Sequence, residues 1–253
     1  MIPSFSFLGR TFTIYPLMAL AGIFVAGIYA CRAAKRAGQN EDDMIMLLLI
    51  SSFGVFLGMH LLYGLVGIPQ WSAQMDQIHG LASFFQAMVA MWGGSVFYGG
   101  LLGGLLAGAC YLRQTSRSLG LWSSLAAPAI PLFHIFGRIG CFLGGCCYGL
   151  PSAWGVVYRY SPVAEANGLV RFPVQLVEAA WNLVLFLLLA WLQRRGKPHL
   201  LPLYLVLYTP ARFLLEFFRG DAYRGILLGL STSQWISLFL FPAALYALLR
   251  GRN

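Results

Sequence analysis

Apolar residues run along this chain in blocks long enough to cross a bilayer, about 20 residues each, separated by short polar breaks. The blocks fall at 14–31, 44–67, 93–112, 121–143, 175–193, 200–218 and 232–249. They predict about seven transmembrane helices in one membrane domain covering 1–253, an all-α polytopic helical bundle. Ser231, followed three residues later by Gln234, forms a capping-box start for the last helix. In the third block Gly99, Gly103 and Ala107, beside Gly100, Gly104 and Gly108, make two small-residue stripes at four-residue spacing. Such stripes let helix backbones approach closely, and packing is their simplest role. The connection 68–92, with Trp71, Phe84, Phe85 and Trp92, reads as an interfacial segment at headgroup level.

Composition agrees with the pattern. Of the 253 residues 59% are hydrophobic and 10% charged, against about 25% charged in an ordinary soluble domain, and a soluble fold cannot hide that much apolar surface. The net charge of +9 does not point to nucleic acid, because the basic residues sit in short clusters between apolar blocks. After the first, third, fifth and seventh blocks come Arg32, Lys35 and Arg36; Arg113 and Arg117; Arg194, Arg195 and Lys197; and Arg250 and Arg252. The positive-inside rule places these four segments in the cytoplasm. The expected topology therefore has the N-terminus outside and the C-terminus cytoplasmic. The connections 68–92, 144–174 and 219–231 face outward and contain no Lys. Met1 to Thr13 carries one cation, Arg10, and lacks a charged n-region followed by a small-residue cleavage site. No cleaved signal peptide is expected.

The remaining arginines change the picture from topology to chemistry. Arg10, Arg138, Arg159, Arg171, Arg212, Arg219 and Arg224 lie outside the cytoplasmic clusters, and Arg138 and Arg212 fall inside spans, toward their outer halves. An arginine in hydrocarbon costs several kcal/mol, so one facing a cavity with an anionic partner is a functional candidate. The bland alternative is a structural ion pair, for which Glu216, one turn after Arg212, supplies a partner. Two guanidiniums at headgroup depth suit a phosphate, and hence a phospholipid entering sideways from the bilayer.

The run Gly137-Arg138-Ile139-Gly140-Cys141-Phe142-Leu143-Gly144-Gly145-Cys146-Cys147-Tyr148-Gly149 is the most unusual stretch. Its glycines permit a tight backbone that can present amide N–H groups to an anion. Cys141, Cys146 and Cys147 can form an inert turn, a disulfide from Cys141 to either of the others, or a reactive thiol. No metal site is expected, because the nearest histidine, His134, lies seven residues before Cys141. His134 reads as a histidine satisfied by packing and a backbone acceptor, and His60, His79 and His199 have no partner visible in the sequence.

Several segments together resemble the bacterial prolipoprotein diacylglyceryl transferase family, from about Tyr15 to the last helix. They are Thr13-Ile14-Tyr15, Gly93-Gly94-Ser95-Val96-Phe97-Tyr98-Gly99-Gly100, Gly137-Arg138-Ile139-Gly140, Phe172-Pro173-Val174-Gln175-Leu176-Val177-Glu178-Ala179, Arg212-Phe213-Leu214-Leu215-Glu216-Phe217-Phe218-Arg219 with Asp221, and Leu230-Ser231-Thr232-Ser233-Gln234. The resemblance implies transfer of a diacylglyceryl group from phosphatidylglycerol, or another anionic phospholipid, to the lipobox cysteine thiol of a secreted preprotein. It implies a multi-pass protein of the bacterial inner membrane, active toward the outer face, with no cofactor. A monomer is expected because seven helices close a bundle. Arg138 and Arg212 would hold the phosphate, and Tyr98, at the family's His-or-Tyr position, would move the thiol proton. Tyr15, Gln175, Glu178, Gly99 and Gly100 would line the pocket, and Glu216 and Arg219 would orient Arg212.

Where the family continues after Gly140 with two asparagines and a glutamate, this chain has Cys141, Gly144 and Cys146. Two further readings therefore stand beside the first. One is a related enzyme with another acceptor, or with Cys141, Cys146 or Cys147 carrying a group covalently. The other is a non-catalytic lipid-binding or transport protein.

Overall fold

The computed structural model describes residues 4–7, 10–72, 80–94, 96–221 and 226–251. Ser95, His79, Arg224 and Arg252 lie outside the described residues, as do the side chains of Arg10, Trp71 and Phe97. The protein is an all-α polytopic membrane bundle with short β-pairs. Six helical segments among the described residues are long and apolar enough to cross a membrane: Ile14–Arg36, Glu41–Ile68, Leu119–Gly144, Val174–Arg194, Leu200–Phe218 and Thr232–Arg250. The expected third span corresponds to a shorter, glycine-rich helix, Phe97–Gln114.

The chain divides into two compact units, Met1–Gln39 with Gly120–Asn253, and Asn40–Leu119. The second unit contains α2 (Glu41–Ser72), α3 (Leu81–Trp92) and α4 (Phe97–Gln114). Its core is a contact of glycines. A Cβ on Gly58 would stand 2.2 Å from the Gly99 carbonyl oxygen, and one on Gly54 would stand 2.4 Å from that of Gly103. The reciprocal positions are as tight, 2.3 Å from Gly99 to the Gly58 oxygen, so α2 and α4 meet backbone to backbone. The stripe read on one helix thus has its complement, Gly54 and Gly58, on another. His60 closes the neighbouring turn, its Nδ1 standing 2.7 Å from the Trp92 carbonyl and 2.8 Å from that of Gly94. Gly58→Ala is expected to destabilise this unit by about 1–3 kcal/mol, the usual range for overpacking, because backbone, not a flexible side chain, must yield. Thermal unfolding in detergent checks this; an unchanged midpoint would mean that the helices do not pack in this register.

The first unit opens with a β-hairpin, β1 (Ser4–Phe7) and β2 (Arg10–Thr13), followed by α1 (Ile14–Arg36). The block expected as one helix at 121–143 is broken into α5 (Leu119–Ala126) and α6 (Ala129–Gly144). Pro128 sits at the break, where its missing N–H and its ring disfavour continuing the helix. After α6 come β3 (Pro151–Val157) and β4 (Val170–Arg171), then α7 (Val174–Arg194), α8 (Leu200–Leu215), a 3-10 turn at Glu216–Phe218, β5 (Ile226–Leu227), β6 (Leu230–Ser231) and α9 (Thr232–Arg250). The capping box forms: the Gln234 N–H donates to Ser231 Oγ at 3.3 Å, and the Ser231 N–H donates to Gln234 Oε1 at 2.9 Å. In this unit α1 packs on α6, α6 on α7, α7 on α8 and α8 on α9. Gly22 permits the first of these contacts, since a Cβ there would lie 2.9 Å from Phe136 Cβ.

Candidate active site

Three helices of the first unit each turn a polar stripe inward at helical spacing. On α6 it is His134, Arg138 and Cys141; on α7 Gln175, Glu178 and Asn182; on α8 Tyr204, Tyr208 and Arg212, continued by Glu216. All are buried, and Glu178, at 1% exposure, lies where the stripes converge. Its Oε1 is 3.0 Å from Arg138 Nη2, 3.5 Å from His134 Nε2 and 3.9 Å from Arg212 Nε, and accepts a hydrogen bond from the Tyr208 hydroxyl at 3.1 Å. Arg138 Nε donates to His134 Nε2 at 3.3 Å, so the imidazole is an acceptor there and its proton belongs on Nδ1. His134 is thus part of a polar cluster as well as packed, its ring 5.4 Å from that of Tyr208, where its apolar helix predicts packing and a backbone acceptor.

A second carboxylate continues the network. Arg212 Nη1 lies 2.5 Å from Glu216 Oε2, and Arg219 Nη1 lies 3.8 Å from the same oxygen. Arg212 Nη2 donates to Ser233 Oγ on α9 at 3.2 Å. Arg219 is gripped by both carboxylate oxygens of Asp221, at 3.0 and 2.5 Å, a fork-on-carboxylate arrangement that fixes orientation as well as charge. Arg138, Arg212 and Arg219 are balanced in formal charge by Glu178, Glu216 and Asp221. Pairing is what makes the site possible, because each ion alone would carry a desolvation penalty of several kcal/mol.

The loop between α6 and α7 ties the site to the end of α8. Gly149 has Arg219 opposite it in an isolated β-bridge, the Leu150 N–H donates to the Phe218 carbonyl at 2.9 Å, and the Gly220 N–H to that of Tyr148 at 2.9 Å. Only glycine fits at 149, where a Cβ would meet the Phe172 oxygen at 2.2 Å. Arg171, buried under the same loop, donates to the carbonyls of Ala166 at 3.0 Å, Gly149 at 3.1 Å and Glu165, with its guanidinium 4.6 Å from the centre of the Tyr148 ring. It is a structural clamp. Gln175 faces the loop too: its Nε2 donates to the Cys146 carbonyl at 2.7 Å, and its Oε1 accepts from the Tyr158 hydroxyl at 3.0 Å. Burial pushes the Tyr158 phenol above its ordinary pKa, against the opposing pull of the Gln175 bond.

The residues singled out from the sequence therefore sort as follows. Arg138, Glu178, Arg212, Glu216 and Arg219 form one ionic network. Gln175 holds the adjoining loop, and Tyr15 packs on α6, its Cδ2 3.3 Å from where a Cβ on Gly140 would lie. Cys141, Cys146 and Cys147 gather at the end of α6 as free thiols. Tyr98, Gly99 and Gly100 belong to the second unit, where Tyr98 is fully buried and Gly99 packs against Gly58. The sequence reading missed His134, Tyr208 and Ser233 as members of the network, although the i, i+4 spacing of His134 with Arg138 and of Tyr208 with Arg212 carried the signal.

Residues 4–250 match the family described as prolipoprotein diacylglyceryl transferase. The chain is 33% identical over 229 residues to the phosphatidylglycerol–prolipoprotein diacylglyceryl transferase of Clostridium tetani, covering 89% of this chain and 87% of that protein. It is 35% identical over 250 residues to the transferase of the same name from Geobacter sulfurreducens, covering 94% and 91%, and 32% identical over 231 residues to phosphatidylglycerol–prolipoprotein diacylglyceryl transferase 2 of Clostridium perfringens, covering 89% and 86%. Neither another acceptor nor a transport role finds support among these relatives. With nearly the whole length matched in this way, the chain belongs to the prolipoprotein diacylglyceryl transferase family.

Proposed function

We propose that this protein transfers the diacylglyceryl group of phosphatidylglycerol to the lipobox cysteine of prolipoproteins, working as a monomer in the bacterial inner membrane with its site toward the outer face. The observation that carries the reading is the convergence of Arg138 and Arg212, from separate helices, on one buried carboxylate. The acceptor sulfur forms a C–S bond to the glyceryl carbon, the C–O bond to phosphate breaks, and its electron pair stays on the departing glycerol phosphate. The phosphate thus gains a second negative charge as the bond opens. A network already balanced in formal charge binds the singly charged lipid modestly and spends its N–H donors on the charge that develops, which is where catalysis is gained. Glu178, Glu216 and Asp221 act as positioning residues, holding the guanidinium forks in place before the lipid arrives. The acceptor thiol gives up its proton to solvent as the C–S bond forms, and Tyr15, packed beside Gly140 of α6, is assigned to the wall of the pocket. The outward orientation rests on the four basic segments, which belong in the cytoplasm.

The test is direct. Purified protein in vesicles containing phosphatidylglycerol is given a lipobox peptide, and the peptide mass is followed. A gain of one diacylglyceryl group on the cysteine, absent with phosphatidylethanolamine or with a serine-substituted peptide, is expected. No mass gain, with lipid binding intact, would sink the proposal.

A further inference from the structure

Three thiols meet where α6 ends, and the transferase reading gives them no role. The Sγ atoms of Cys141, Cys146 and Cys147 all lie within 4.8 Å of one another, Cys141 buried and the other two partly so. The turn that gathers them is fixed from several sides. The Cys146 N–H donates to the Cys141 carbonyl at 3.1 Å, Ser161 Oγ donates to the Gly145 carbonyl at 2.7 Å, and Gln175 reaches the Cys146 carbonyl from α7. Gly145 and Cys147 both have left-handed backbones, φ 75° and φ 55°. For a residue other than glycine that conformation persists only where the surroundings enforce it.

Three chemistries compete for such a cluster. A thiol that accepted the diacylglyceryl group would become a thioether, which offers no leaving group comparable to phosphate, so the group would stay there. A disulfide, with sulfurs about 2.05 Å apart, uses two thiols and strands the third; between neighbours Cys146 and Cys147 it is disfavoured, because adjacent Cα atoms about 3.8 Å apart fall short of the usual 4.4–6.8 Å span. A metal ion uses all three. With metal–sulfur bonds of about 2.3 Å, three coordinated sulfurs stand about 3.8–4.0 Å from one another, a spacing that the three thiols, all within 4.8 Å of one another, reach by side-chain adjustment alone. Use of all three thiols at once favours the ion.

We propose that Cys141, Cys146 and Cys147 form a three-thiolate site for a soft d10 cation, of the class of Cu+ and Zn2+. Thiolates select these ions by softness. Binding releases three thiol protons to solvent and changes no oxidation state. Among the described residues no His, Asp or Glu joins the group as a further ligand; Cu+ accepts three sulfurs alone, and Zn2+ completes its tetrahedron with a water. The bound ion staples the end of α6, three residues beyond Arg138, and through Gln175 secures that end to α7.

The full-length protein, reduced and stripped of metal in detergent under anaerobic conditions, is titrated with Cu+ or with Zn2+ against a competing chelator. Bound metal is measured by atomic emission and free thiols by alkylation and mass spectrometry. One equivalent of either ion is expected to protect Cys141, Cys146 and Cys147 while Cys31 and Cys110 are still alkylated. Cys146→Ser and Cys147→Ser are expected to weaken binding by about 100-fold or more, beyond what changes outside the ligand set produce, and Cys31→Ser and Cys110→Ser to leave it unchanged. Should the ligand variants fail to fold, the alkylation footprint of the unaltered chain decides. Failure to retain either ion with all three thiols reduced, or equal retention by the ligand variants, overturns the site. Peptide lipidation is measured in the same samples; its absence with metal bound would remove the transferase reading and leave this site standing.

Discussion

Arg212→Ala is expected to lower transfer to the lipobox peptide by about 10²–10³-fold, the range seen when one preorganised donor to a developing oxyanion is lost. The fall should lie mainly in kcat, since the interaction strengthens as the second phosphate charge forms. Arg212→Lys should recover little. The lysine keeps the charge but not the planar fork, and Arg212 uses that fork at once toward Glu178, Glu216 and Ser233. Arg138, which engages Glu178 and His134 through different nitrogens, should respond to lysine in the same way. The readout is peptide mass against time at saturating lipid. If either lysine variant matched the unaltered chain, the guanidinium would be serving as a structural counter-ion and the phosphate would be held elsewhere.

Glu178→Ala is expected to cost about 3–5 kcal/mol of stability, the scale of removing one partner from a buried ionic pair. The loss is larger than for an ordinary large-to-small change, because Arg138 remains buried without its carboxylate, and the Tyr208 hydroxyl loses its bond to Glu178. Glu178→Gln keeps the shape and one acceptor oxygen but not the charge, so it should fall between the alanine variant and the unaltered protein. Thermal unfolding in detergent orders the three. Were Glu178→Gln as stable as the unaltered chain, the guanidiniums would not depend on that carboxylate for compensation.

Much of the site was legible because its signals are local. Two arginines inside apolar blocks stand out against the cost of charge in hydrocarbon, and Glu216 one turn from Arg212 is visible by counting. Ser231 and Gln234 announce a helix start three residues apart. The histidine at 134 was harder: alone in an apolar helix it looks like a packed ring, and only its four-residue offset from Arg138 hinted otherwise. Glu178 could be recognised as a pocket residue by family likeness, but nothing along α7 marks it as the point on which α6 and α8 converge. The break at Pro128 was hidden by the unbroken apolar pattern on both sides of it.

The sequence by itself determined the class of molecule, the family, and the residue types available for phosphate chemistry, because hydropathy, glycine spacing and motif order are written along one dimension. The tertiary structure alone decided which of these meet. The rotations of α6, α7 and α8 about their own axes bring Arg138, Glu178 and Arg212 together. The left-handed turns at Gly145 and Cys147 gather three thiols that sequence spacing left open to several fates. The Gly54 and Gly58 face of α2 is what gives the α4 stripe its partner. Periodicity tells which face of a helix is polar or small; it carries no information on what another helix presents opposite, and that pairing is settled by burial and charge compensation acting across the packed interior.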